Sequence, residues 1–294
     1  MDYPYSATIN VPNVFETQSI NITLHSGLTT FVGPNGSGKT QTLKAFRDYL
    51  KGKIGHDKVR YLTSNRIGTM EVYRSKTDSY SRTIEQFNIG NQDQKRMRHQ
   101  IETANGDFFT MDERKDVYIK VAERLSVLFD RQIYLRWDAG NLKVFVEKTA
   151  SQKEYSVAAE ASGLVNLISI LAALFDESTK VLLIDEPEVS LHPQLQSYLL
   201  REIETAVEKY RKTVIISTHS AEMICLSNPT DLCNFVFFKR MEIFQFRFLL
   251  RPLSCKAKDS RNFFYAWASY TKRLFLQRKF SLLKVQVILL FVTT

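Results

Sequence analysis

Eight consecutive residues, Gly33-Pro34-Asn35-Gly36-Ser37-Gly38-Lys39-Thr40, constrain this chain more than any other segment. They fit the pattern G-x-x-x-x-G-K-[ST], which works only where a buried strand enters the loop and a helix leaves it. Both flanks comply. Thr29–Val32 reads as a buried strand, and Thr40–Leu50 sets Leu43, Phe46, Tyr49 and Leu50 on one helical face. Glycines let successive backbone N–H groups wrap phosphate oxygens, and the start of the helix adds the positive end of its dipole. In such a loop Lys39 reaches the β- and γ-phosphates and the Thr40 hydroxyl ligates Mg²⁺. The expected ligands are therefore ATP and Mg²⁺.

A second segment supplies the carboxylates such a site needs. Val181-Leu182-Leu183-Ile184-Asp185-Glu186 is an apolar strand ending in two acids. Asp185 is placed to hold the Mg²⁺ shell, and Glu186 to polarise the attacking water, a role that requires a carboxylate near the γ-phosphate. Further strands are expected at Ser6–Val11, Ile20–Leu24, Thr213–Ser217 and Asn234–Phe238, with helices at Val117–Phe129, Gly163–Phe175 and Pro193–Tyr210. Gln132–Trp137 and Leu142–Glu147 flank Asp138-Ala139-Gly140-Asn141 as a hairpin. Strands alternating with helices predict an α/β fold with a mostly parallel core sheet and antiparallel N-terminal strands. Residues 61–116 are polar and irregular, and residues 61–154 are read as an inserted small lobe within a head spanning residues 1–239.

Beyond the first strand of acids the chain resembles a known family. Asp185-Glu186-Pro187-Glu188-Val189-Ser190-Leu191-His192-Pro193 looks like the Walker B and D-loop of ABC-type P-loop ATPases, and Leu-His-Pro is similar to the SMC, RecF and OLD (overcoming lysogenization defect) branch. Transporter subunits usually read Asp-Glu-Pro-Thr-Ser-Ala-Leu-Asp there. Ser217-Thr218-His219-Ser220 closes a strand as the family's switch histidine does, and Glu160-Ala161-Ser162-Gly163 precedes a helix where the signature motif belongs. The resemblance implies a homodimer of heads with ATP sandwiched between them. Ser162 and Gly163 would face the partner's γ-phosphate, while His219 contacts the γ-phosphate and Glu186 within its own subunit. Leu164 and Val165 depart from the Leu-Ser-Gly-Gly-Gln signature, and Gln86, Gln92, Gln94, Asn65 and Arg66 leave the Q-loop unassigned.

The same resemblance implies DNA repair or defence against foreign DNA, with duplex DNA and a separate nuclease as partners. The Toprim nuclease domain of OLD proteins needs an Asp-x-Asp pair, and none occurs here. Lys95, Arg96 and Arg98 form a basic cluster, although charge runs are usually solvated surface. A nucleotide switch with little turnover and an ABC transporter subunit are the competing readings.

Charge is distributed unevenly. Of the 40 basic and 31 acidic residues, 11 basic but only Glu242 and Asp259 lie beyond residue 239, so the first 239 residues balance. This tail, residues 240–294, has no glycine and carries Phe244, Phe246, Phe248, Phe263, Phe264, Tyr265 and Trp267. A nucleic-acid arm is one reading of it; a frameshifted or truncated frame is the favoured one. Phe280–Val292 is too short to span a membrane and is interrupted by Lys284 and Gln286. With no secretory signal at the N-terminus, a cytoplasmic setting is expected. Cys225, Cys233 and Cys255 lack metal-site spacing and are read as reduced thiols.

Overall fold

The computed structural model describes residues 3–11, 19–76, 87–150, 152–224, 234–239 and 242–245. In chain order the strands are β1 (Tyr5–Asn10), β2 (Ser19–Leu24), β3 (Leu28–Val32), β4 (Val59–Leu62), β5 (Gly90–Asn91), β6 (Arg131–Asp138), β7 (Asn141–Lys148), β8 (Lys153–Ser156), β9 (Val181–Asp185), β10 (Thr213–Thr218), β11 (Phe235–Lys239) and β12 (Glu242–Gln245). The α-helices are α1 (Lys39–Ile54), α2 (Gly68–Lys76), α3 (Gln92–Arg96), α4 (Ala104–Glu113), α5 (Lys115–Phe129), α6 (Ser162–Phe175) and α7 (Pro193–Tyr210). Two compact units divide the chain, Met1–Phe46 with Ile216–Thr294, and Arg47–Ile215.

In the first unit β1 and β2 pair antiparallel from Tyr5 opposite Leu24 to Asn10 opposite Ser19. Their period-two pattern buries Ala7 and Ile9 on one strand and Ile20, Ile22 and Leu24 on the other. The opposite face carries hydroxyl and amide pairs, Ser6 with Thr23 at 3.0 Å and Thr8 with Asn21 at 2.6 Å. Strand β3 lies parallel to β11, with Thr30, Phe31 and Val32 opposite Phe235, Val236 and Phe237. Phe31 and Phe238 meet at 5.2 Å between ring centroids, and Val32, Ile224, Phe235 and Phe237 form a buried cluster. Strand β12 adds antiparallel to β11, so four residues beyond residue 239 continue the sheet.

The second unit holds a parallel pair, β4 and β9, in register from Val59 opposite Val181 to Leu62 opposite Ile184. Every residue of both strands is buried, as expected where a parallel sheet is covered on two faces. A separate antiparallel sheet has the order β5-β7-β6, with β8 also on β7. Its β6–β7 hairpin closes through Ala139 (φ 47°) and Gly140 (φ 78°), the two left-handed residues a tight two-residue turn requires. Helix α6 is buried from Leu164 to Phe175 and packs against α4, α5 and α7. Amphipathic α5 contributes Val117, Val121 and Leu125, and α7 contributes Leu199, Leu200, Ile203 and Ala206. Arg124 on α5 and Tyr198 on α7 both bond to Glu202, at 2.8 and 2.7 Å.

Parallel strand pairs alternating with helices, flanked by antiparallel strands, make the fold α/β as the sequence predicts. The described residues within 61–116 differ from their irregular reading. They complete β4 and build α2, α3 and α4, and α4 buries Ala104, Gly106, Asp107, Phe108, Phe109, Thr110 and Met111. A helix buried around most of its circumference shows no amphipathic stripe, so periodicity does not announce it. The burial of Arg60 and Asp107 is offset by an ion pair of 2.8 Å, reinforced by a hydrogen bond from Ser169. Cys225, Cys233, Cys255, Gln86 and the tail after Gln245 lie outside the described residues.

Candidate functional site

The loop between β3 and α1 has the conformation its glycines allow. Gly36 (φ 75°) and Gly38 (φ 95°) occupy left-handed backbone that costs an L side chain about 1–2 kcal/mol. Gly33 is needed for another reason. A Cβ there would lie 2.5 Å from the Phe238 carbonyl oxygen and 2.8 Å from the Phe238 Cβ, because Gly33 continues β3 alongside β11. Asn35 stands exposed at the tip, and the Ser37 N–H donates to the Pro34 carbonyl at 3.3 Å.

Lys39 is buried, and its Nζ donates to the carbonyls of Gly33 at 2.8 Å and Pro34 at 3.0 Å. The ammonium thus lies folded across its own loop. The Ser37 hydroxyl is buried with no hydrogen-bond partner among the described residues. An orphaned hydroxyl and a cation on a glycine loop at a helix start match the donor set that phosphate oxygens require. Thr40 follows on the first turn of α1. His219 immediately follows β10, with Ser220 next to it donating its N–H to the Thr218 hydroxyl at 3.0 Å.

In the second unit β9 ends at Asp185, itself buried, and the chain turns sharply at Glu186. Glu186 has φ 46° and Ser190 φ 62°, both in the left-handed region although neither is glycine. Strain of about 1–3 kcal/mol at such residues persists only where the surroundings enforce it. They do so here. The Val189 carbonyl accepts from Asn166 Nδ2 on α6 at 3.0 Å, and the Leu191 carbonyl accepts from Gln196 Nε2 on α7 at 2.8 Å. Arg66 Nη2 donates to the carbonyls of Asp185 at 2.7 Å and Glu186 at 3.3 Å. The Tyr61 hydroxyl, on β4, is pushed up by burial and then by the charge of Asp185.

Leu191-His192-Pro193 has a local structural role. Leu191 is buried, His192 is the N-cap of α7 with Nδ1 accepting from the Gln194 N–H at 3.4 Å, and Pro193 takes the first helical turn. Ser162 and Gly163 open α6. Arg74 on α2 binds this segment through the carbonyls of Ala158 and Glu160 and donates to the Ser162 hydroxyl at 3.2 Å. A Cβ on Gly163 would press closer than 3.0 Å to the Ser190 carbonyl oxygen, so the start of α6 and the turn after β9 sit in direct backbone contact. Leu164 and Val165, where the signature pattern has glycine and glutamine, are buried core residues.

The basic cluster is partly neutralised. Lys95 binds Asp112 at 2.7 Å and Glu113 at 2.9 Å, and Arg96 binds Asp93 at 3.3 Å. Among the described residues no three His, Cys, Asp or Glu side chains converge as a metal site. Arg66 and Arg74 are the residues that sequence reasoning missed. Arg66 was visible only as an unassigned residue at a strand end, and Arg74 carried no signal.

Residues 49–224 match the family described as AAA domain, putative AbiEii toxin, Type IV TA system. No curated protein matches the chain. Similar solved structures include an ATP-binding subunit of an ABC transporter, 13% identical over 90% of this chain and 99% of that one, with a TM-score of 0.45. Another is an SMC head bound to the C-terminal winged-helix domain of ScpA, 12% identical over 83% and 98%, TM-score 0.47. A third, from Pyrococcus furiosus, is titled a putative ABC transporter ATP-binding protein, 16% identical over 73% and 91%, TM-score 0.42.

Proposed function

The chain belongs to the AAA-domain family that it matches over more than half its length, and we propose that it binds ATP with Mg²⁺ and hydrolyses the nucleotide through Lys39 and Glu186. The observation that carries the proposal is the loop Gly33–Thr40, where a buried lysine rests on loop carbonyls beside an orphaned Ser37 hydroxyl. On binding, Lys39 exchanges those carbonyls for β- and γ-phosphate oxygens, while the backbone N–H groups of Gly36 to Thr40 surround the phosphates. Thr40 and Asp185 are the residues that would hold Mg²⁺, which would supply charge neutralisation at the phosphates. Glu186 accepts the proton of the attacking water, and His219 senses the γ-phosphate.

Family resemblance extends the proposal to a homodimer in which Ser162 and Gly163 act on nucleotide held by the partner copy. It also extends to DNA-associated work in repair or defence, with a separate nuclease as the class of partner. The Leu191-His192-Pro193 variant carries that branch assignment, and its helix-starting role weakens it as a marker. Lys95 adds nothing, because its charge is already paired. A switch that binds nucleotide with little turnover is favoured by one observation, the burial of Leu164 and Val165 where the signature pattern has glycine and glutamine. Among the described residues no helix is long and apolar enough to cross a membrane.

The test is Mg²⁺-ATP turnover with and without duplex DNA for wild type, Lys39→Ala and Glu186→Gln at matched folding. Turnover lost in both variants and raised by DNA supports the full reading. Turnover indifferent to DNA removes the DNA assignment, and binding without turnover leaves the switch.

A further inference from the structure

Arg66 takes no part in the scheme above, yet it is fully buried and, among the described residues, is the largest of the fully buried side chains. Its Nη2 donates to two consecutive carbonyls, those of Asp185 and Glu186, while Nε and Nη1 have no partner among the described residues. Burial lowers its pKa to about 10, opposed by Asp107, Asp185 and Glu188, so it remains a cation at neutral pH. A buried, under-partnered cation is an expensive way to fill core volume that an apolar side chain could occupy. Its own backbone is fixed as well, since the Arg66 carbonyl accepts from the Ala104 N–H at the start of α4 at 2.8 Å. The two carbonyls it grips flank the point where the backbone enters the left-handed region at Glu186.

We propose that Arg66 is a positioning residue for hydrolysis: its guanidinium clamps the Asp185–Glu186 turn through these two carbonyls and thereby aims the Glu186 carboxylate at the attacking water. This rests on the hydrolytic reading of Glu186. Ordinary core packing would stabilise the second unit as a whole, whereas a clamp acts on one turn and through one carboxylate.

Arg66→Met, which keeps length but removes charge and donors, and Arg66→Lys, which keeps one charged donor, separate the two in the full-length chain. By hydrogen exchange, amides within residues 186–191 should open about tenfold faster in Arg66→Met, with α5 unchanged and Arg66→Lys intermediate. Turnover should fall about tenfold in kcat with KM for ATP within about twofold, and the loss should vanish in a Glu186→Gln background. Should Arg66→Met not fold, Arg66→Lys carries both measurements. Unchanged exchange at 186–191, uniform acceleration across the second unit, or an undiminished kcat would each overturn the clamp. A wild type that binds ATP without turnover refutes the hydrolytic reading and the aiming role together, while faster local exchange would still identify the structural clamp.

Discussion

Replacing Gly33 by alanine separates two reasons for glycine in one loop. A Cβ at Gly33 would sit 2.5 Å from the Phe238 carbonyl oxygen and 2.8 Å from its Cβ, whereas an ordinary C···O contact is about 3.3 Å. Backbone in β3 or β11 must therefore shift by roughly 0.8 Å, and overpacking of this kind costs about 1–3 kcal/mol. Against this, alanine restricts the unfolded chain and returns about 0.4–1 kcal/mol. The net expectation is a loss of about 1–2 kcal/mol, or a Tm lower by roughly 2–8 °C. Two controls isolate the cause. Gly36 has open space but φ 75°, so its alanine variant should lose about 1–2 kcal/mol through backbone conformation alone. Gly52, inside α1 with nothing within 4 Å of a Cβ, should gain up to about 1 kcal/mol. Thermal unfolding of the three variants, with and without Mg²⁺-ATP, makes the comparison. A Gly33→Ala protein as stable as the wild type would refute the close approach to β11, whatever it did to nucleotide binding.

Gly163→Ala poses the same question in the second unit. Helix propensity favours alanine, but the contact with the Ser190 carbonyl opposes it, so urea unfolding should give a net loss of about 1–2 kcal/mol; a gain would show that α6 and the turn are not in contact. Lys212 predicts a pH dependence. Its ammonium, buried behind α6, donates to the carbonyls of Ala173 at 2.9 Å and Asp176 at 2.7 Å and to the Thr179 hydroxyl at 3.1 Å, yet burial lowers its pKa to about 7, against the opposing charge of Asp176. The unfolded chain then holds this proton up to about pH 10.4 while the folded chain releases it above about 7. Its contribution to stability therefore rises with pH across that window, by at most about 1.4 kcal/mol per unit. Lys212→Met should flatten the rise, and parallel stability curves for the two proteins would disprove the assignment.

The sequence by itself determined the local chemistry: the loop Gly33–Thr40, the strand ending in Asp185 and Glu186, the helix begun by Pro193, and the hairpin through Ala139 and Gly140. Each is written in contiguous residues whose backbone needs, apolar runs or turn preferences act over a few positions, so a linear reading recovers them. Tertiary structure alone decided what surrounds them. Gly33 is constrained by Phe238, about two hundred residues away, and the strained Glu186 turn is held by Arg66 from the turn after β4, Asn166 from α6 and Gln196 from α7. Arg60 carried no signal and Arg66 stood only as an unassigned Q-loop candidate, because composition cannot tell which charges will find buried partners. Helix α4 escaped notice because burial on most sides erases the amphipathic period, and Lys95 looked like part of a basic patch until Asp112 and Glu113 folded against it. These contacts join residues far apart in the chain, and only the packed core brings their donors, acceptors and charges within reach of one another.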